Sequence, residues 1–122
     1  MWEVGKWCNS NPKAQANFPM RIVKVTYTAK SEFVEQNIAN IGAVMTALKA
    51  EGHPGMWYHC CLGPDGETFT HTSFFENEGD QKILNDLPQF QYFQTELKAH
   101  GLDAPPKQEL LTLVGSTREL FG

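Results

Sequence analysis

Cysteine is scarce in this chain of 122 residues: Cys8, Cys60 and Cys61 make an odd set of three, two of them adjacent. That set does not suit the even, spaced framework of a disulfide-stapled secreted domain, and it fits a reducing compartment. Basic residues are few as well, ten Lys and Arg against fourteen Asp and Glu for a formal charge of -4, and they are scattered singly from Lys6 to Arg118. With no basic run to meet a phosphate backbone, the chain is expected to have no nucleic-acid partner. Long apolar runs are missing: no stretch approaches the roughly 20 residues that cross a bilayer. The N-terminus also lacks the basic start and continuous apolar segment of a secretory signal. The expectation is a cytoplasmic protein without a membrane partner. Neither an internal repeat nor a low-complexity segment is evident. What remains is a chain with 41% hydrophobic and 20% charged residues, long enough for one packed core and too short for two ordinary domains.

Residues 1–19 read as an N-terminal arm, because Asn9, Ser10, Asn11, Pro12 and Lys13 break any periodicity and only Trp2, Trp7 and Phe18 offer large apolar surface. Either it is a loosely held terminus, or its tryptophans dock on the domain or on a second subunit. Residues 20–122 read as the folded domain. Its first strand spans residues 20–28, with Val23, Val25 and Tyr27 on one face. Ser31 is placed to cap a helix with Glu32 and Glu35 in its first turn and an apolar stripe at Val34, Ile38, Ile41, Met45 and Leu48. Gly52 and Pro54 end that helix. Residues 56–62 and 68–75 are two extended runs joined by Gly63, Pro64, Asp65 and Gly66, a strong hairpin signal. Residues 77–80 open a second helical segment carrying Ile83, Leu84, Leu87, Phe90, Phe93 and Leu97, which Pro88 divides into a short helix and a longer one. Residues 109–116, rich in leucine, form a mostly buried last strand, and Leu120 and Phe121 add a final apolar contact.

This order, strand, helix, strand, strand, helix, strand, closes most simply as an α+β, ferredoxin-like βαββαβ sandwich: a four-stranded antiparallel sheet with its helices on one face. The other face would leave a larger apolar patch than soluble monomers usually expose. A homodimer formed by sheet-to-sheet contact is the expected remedy.

The chain resembles the dimeric α+β barrel superfamily, which includes antibiotic-biosynthesis-monooxygenase-like proteins, haem-degrading monooxygenases and stress-responsive barrel proteins. The likeness covers residues 20–121. It rests on the element order, on the hairpin at Gly63 to Gly66, and on the pattern Phe74, Phe75, Glu76, Asn77 through Leu87, Pro88, Gln89, Phe90 and Phe93. It implies a barrel made across a dimer, with helices outside and a pocket between helices and sheet for a small apolar or aromatic molecule. Haem-degrading members ligate iron through a histidine inside the second helix, where this chain has only His100 at the far end, so no cofactor is implied. Cofactor-independent oxidation of such a molecule is the activity the resemblance suggests. A non-catalytic dimeric binding or structural module is the open alternative, because a shared fold does not carry a function.

The hairpin supplies the candidate chemistry. A three-residue loop of Pro64, Asp65 and Gly66 would set His59 opposite His71 and Trp57 opposite Ser73, with Cys61 one diagonal step from His71. Opposed side chains have β carbons about 5 Å apart, close enough for two imidazoles to share a proton, clamp a small anion or bind one metal. Cys61 could be a third ligand, but no fourth can be read from the spacing, so no metal is expected. His59 and His71 are therefore the candidate catalytic residues, one of them able to take a phenolic proton as general base. Satisfied, purely structural histidines are the competing reading. Trp57, Tyr27, Tyr58, Phe90 and Phe93 are the candidate ligand-binding residues, with core packing as their alternative role. Cys60 and Cys61 alternate faces and read as small hydrophobes.

Overall fold

The computed structural model describes residues 20–121; the N-terminal arm, with its tryptophans and Cys8, lies outside the described residues. Strand β1 spans Arg21–Thr28, and a 3-10 turn over Ser31–Phe33 leads into helix α1, Val34–Glu51. Strands β2, Met56–Leu62, and β3, Thr68–Phe75, form the hairpin. Helix α2, Glu78–Asp86, is followed by α3, Pro88–Glu96, whose end runs into a π-helical turn at Leu97–Gly101. Strand β4 is Lys107–Leu111. The sheet is antiparallel throughout, in the order β2-β3-β1-β4, with the helices on one face. The expected fold class is the observed one.

Local chemistry explains the element ends. Gly52 closes α1 in the left-handed conformation, φ 67°, its N–H donating to the Leu48 carbonyl, as an L-residue could not do without strain. Asn77 caps α2 through a reciprocal pair: its side chain accepts from the Asp80 N–H, and the Asp80 carboxylate accepts from the Asn77 N–H. Leu87 is extended between α2 and α3, and Pro88 occupies the first turn of α3, where a missing N–H leaves no bond unmade.

Four sequence expectations need correction. Ser31 makes no side-chain cap; it starts the 3-10 turn, after an extended Lys30. The expected stripe of α1 is turned rather than absent: Asn37, Asn40, Ile41 and Val44 are buried, Val34, Met45 and Leu48 pack half-buried against the core, and Ile38 stays 48% exposed. The cause of this rotation is the lead-in: Phe33 is buried in the core, and residues four and eight further on follow it inward at helical spacing. The last strand is earlier and shorter than expected. It is an edge strand, with Leu110 and Leu111 well exposed and Val114 beyond it fully so.

The fourth correction concerns the hairpin. Its loop has four residues rather than three, because Leu62 pairs with Phe69 and the Gly63 N–H reaches the Thr68 carbonyl at 2.7 Å. Asp65 is the reason. One carboxylate oxygen accepts from the N–H of Glu67 and of Thr68, at 2.9 and 2.8 Å, and the other from the Thr68 hydroxyl at 2.6 Å, which keeps Glu67 in the loop. These bonds hold the Asp65 carboxyl below the usual carboxylate range. The register is thereby shifted by one residue, so His59 faces Thr72, and the partner of His71 is Cys60.

The core lies between sheet and helices. Val23, Val25, Tyr27, Phe69 and Phe75 meet Phe33, Ile41, Val44, Leu84, Phe90, Phe93 and Leu97 there. No helix among the described residues is long and apolar enough to cross a membrane.

Candidate functional site

The one-residue shift separates the two histidines. His71 points towards the helices and is fully buried, whereas His59 lies on the open face, in ring contact with Trp57 and Phe74. They do not lie side by side, and the half-buried Cys60, not Cys61, shares the face of His71. Burial, and then the neighbouring Cys61, pushes the Cys60 thiol up to about 12, so it stays protonated and unreactive at neutral pH. Among the described residues no group of three or more potential metal ligands is assembled.

What the fold builds around His71 is a buried hydrogen-bond path. Strand β3 lies between β1 and β2, so one tyrosine from each neighbour reaches His71 diagonally: Tyr27 Oη is 2.8 Å from Nε2, and Tyr58 Oη is 2.6 Å from Nδ1. Asn37, from the inward stripe of α1, donates its Nδ2–H to Tyr27 Oη at 2.8 Å. With that amide orientation the Tyr27 proton finds its acceptor in His71 Nε2, so Nδ1 carries the imidazole hydrogen and donates to Tyr58. The path thus runs Asn37, Tyr27, His71, Tyr58. Rings wall it in: Tyr27 stacks on Phe69, Phe93 packs 5.3 Å from His71, and Phe90 meets Tyr58 edge-on at 6.2 Å.

Burial sets the electrostatics of this path. Desolvation, with a smaller contribution from His59, lowers the His71 imidazole from its ordinary 6.5 to about 3. Desolvation likewise raises the Tyr27 phenol well above its ordinary range, although the Asn37 hydrogen bond opposes it. The His71 imidazole and the Tyr27 phenol are therefore both neutral at neutral pH. Two buried polar atoms nearby, Asn37 Oδ1 and Ser73 Oγ, have no hydrogen-bond partner among the described residues, which leaves capacity for a polar group not of this chain's core.

Tyr58 is the outermost member. It lines a cleft of about 450 Å³ between the end of α1 and the start of β2, together with Met45, Leu48, Lys49, His53, Met56 and Trp57. Of the residues read from the sequence as ligand-binding, Tyr58 and Trp57 line this cleft, while Tyr27, Phe90 and Phe93 are buried behind it. Another cleft, of about 490 Å³, forms where the C-terminal segment meets Met20 and Glu76, away from all of these residues. Asn37 escaped the sequence reading. Its signal was a polar residue at helical spacing from Phe33 and Ile41, visible only with the stripe in its true phase.

No protein-family model matches the chain, and no curated protein matches it in sequence. Solved structures do match in fold. A candidate antibiotic biosynthesis monooxygenase from Caulobacter crescentus superposes with a TM-score of 0.70 at 14% identity, over 86% of this chain and 100% of that one. A similar candidate from Nitrosomonas europaea gives 0.67 at 12% identity, over 79% and 91%. SnoaB, a cofactor-independent oxygenase from Streptomyces nogalater, gives 0.63 at 12% identity, over 84% and 100%. At such identities the likeness is one of architecture, and the chain has the ferredoxin-like α+β fold of the antibiotic biosynthesis monooxygenase-like structures.

Proposed function

We propose that the protein is a homodimer that binds a small aromatic molecule in the cleft between α1 and β2 and oxidises it without a cofactor. The observation that carries this reading is the hydrogen-bond path from Asn37 through Tyr27 and His71 to Tyr58, buried at one end and reaching the cleft at the other. In this reading Tyr58 donates its hydroxyl hydrogen to the oxygen of a phenolic ligand, and His71, donating Nδ1–H to Tyr58, holds that hydroxyl in place. An imidazole so reluctant to protonate is a poor resting place for a proton. The phenolic proton therefore leaves to solvent at the open cleft, and the Tyr58 hydrogen bond stabilises the phenolate left behind. The ligand's phenolate then reacts with dioxygen: a ring carbon loses its hydrogen and gains one oxygen atom as a carbonyl, and the other oxygen leaves as water, taking that hydrogen and one proton from solvent. SnoaB lends support, since a cofactor-independent oxygenase shares the fold. His59, on the open sheet face, would serve the dimer interface in place of the cleft.

The test is titration with 1-naphthol alongside oxygen uptake. Tyr58→Phe is expected to weaken binding about tenfold, the worth of a well-placed hydrogen bond. His71→Gln is expected to abolish oxygen uptake while leaving binding measurable. Unchanged behaviour of both variants would sink the assignment. A second reading, ligand binding without chemistry, draws on the low basicity of His71; it predicts 1-naphthol binding with no oxygen consumed by the unmutated protein.

A further inference from the structure

The cleft's lining points to a ligand more specific than an apolar ring. Met45, Leu48 and Met56 supply apolar wall, Tyr58 a phenol, and Lys49 an ammonium at the end of α1. The nearby Glu51 carboxylate is engaged by another side chain: its Oε1 lies 2.6 Å from His53 Nε2. No described residue forms an ion pair with Lys49, and none of the residues lining the cleft is a carboxylate. An apolar cleft with one such cation and few other polar groups has the composition of a site that orients an amphipathic acid. The cation's compact charge suits a carboxylate, held as a charge-assisted hydrogen bond.

Resting on the cleft reading above, the geometry points to an aromatic carboxylic acid as the ligand class, its ring on the Met45, Leu48 and Met56 wall and its carboxylate at Lys49. A cleft of about 450 Å³ falls in the range for a compact small molecule. The Lys49 side chain is exposed and takes no part in the core, so its replacement leaves the fold intact.

The test uses a matched pair, 1-naphthoate and 1-naphthol, titrated calorimetrically into the full-length protein and into Lys49→Met, which keeps the apolar stem and loses the charge. Naphthoate is expected to bind the unmutated protein about tenfold more tightly than naphthol, to lose that advantage in Lys49→Met, and to lose much of it in high salt. Naphthol, with no carboxylate for Lys49 to meet, should lose much less affinity than naphthoate does. Equal affinities for the two probes, or a naphthoate affinity indifferent to Lys49→Met, would overturn the acid preference while the cleft itself stands. Binding of neither probe would overturn the cleft reading and the acid preference together.

Discussion

His71 shows how much one buried side chain can determine. Its imidazole is held at about 3 against an ordinary 6.5, mainly by desolvation, so between those values the unfolded chain binds a proton that the folded chain refuses. Stability is therefore full above about pH 6.5 and is lost as the pH falls towards 3, with a slope approaching 1.4 kcal/mol per pH unit from this one group. Urea titrations at pH 7, 6, 5 and 4 should show that decline, and His71→Gln should flatten it, since an amide does not titrate. An equally steep decline in the variant would mean that other groups carry it. The sequence displayed His71, Tyr27 and Tyr58 as candidates, but not their bonds. Which tyrosine reaches which nitrogen depends on a register that one loop residue changes.

Elements are where the sequence was most readable, because their ends are made by local chemistry. Strands β2 and β3 and the break at Pro88 lie where the β-branched and aromatic runs and the proline place them. Asn77 is the clearest case: its reciprocal bonds with Asp80 satisfy two N–H groups at the start of α2. Asn77→Ala is expected to cost about 1 kcal/mol, read as a lower denaturation midpoint at unchanged m-value. A stability equal to that of the parent would show that the cap is replaceable by water. Helix α1 is the counterexample. Val34, Ile38, Ile41, Met45 and Leu48 make as good a helical stripe on paper as the true one, yet Ile38 faces solvent and Asn37 faces the core. Periodicity gives a helix its faces without saying which of two adjacent ones is anchored. The anchor is Phe33, outside the helix proper.

At the scale of the whole molecule the open sheet face is the feature to explain. Trp57 and Leu111 are 48% and 37% exposed on it, flanked by Phe74 and His59, and a stable interface needs about 800 Å² from each partner. The proposed homodimer would cover this face. Sedimentation velocity is expected to give a dimer for the parent and a folded monomer, with unchanged circular dichroism, for Phe74→Glu. A parent that sediments as a monomer would remove the dimer from the proposal, although the cleft, formed within one chain, would survive.

By itself the sequence determined the element order, the turn chemistry and the α+β class, since these follow from periodicity, proline, glycine and capping side chains acting over a few residues. It also held every member of the path now seen around His71. Tertiary structure decided which of those residues meet. The Asp65 carboxylate drew Glu67 into the loop, slipped the hairpin by one residue and sent His59 and His71 to opposite faces. Phe33 set the phase of α1 and brought Asn37 to Tyr27. Strand side chains alternate faces with a period of two, so a shift of one residue, invisible to composition and motif, decides which polar groups meet in the core.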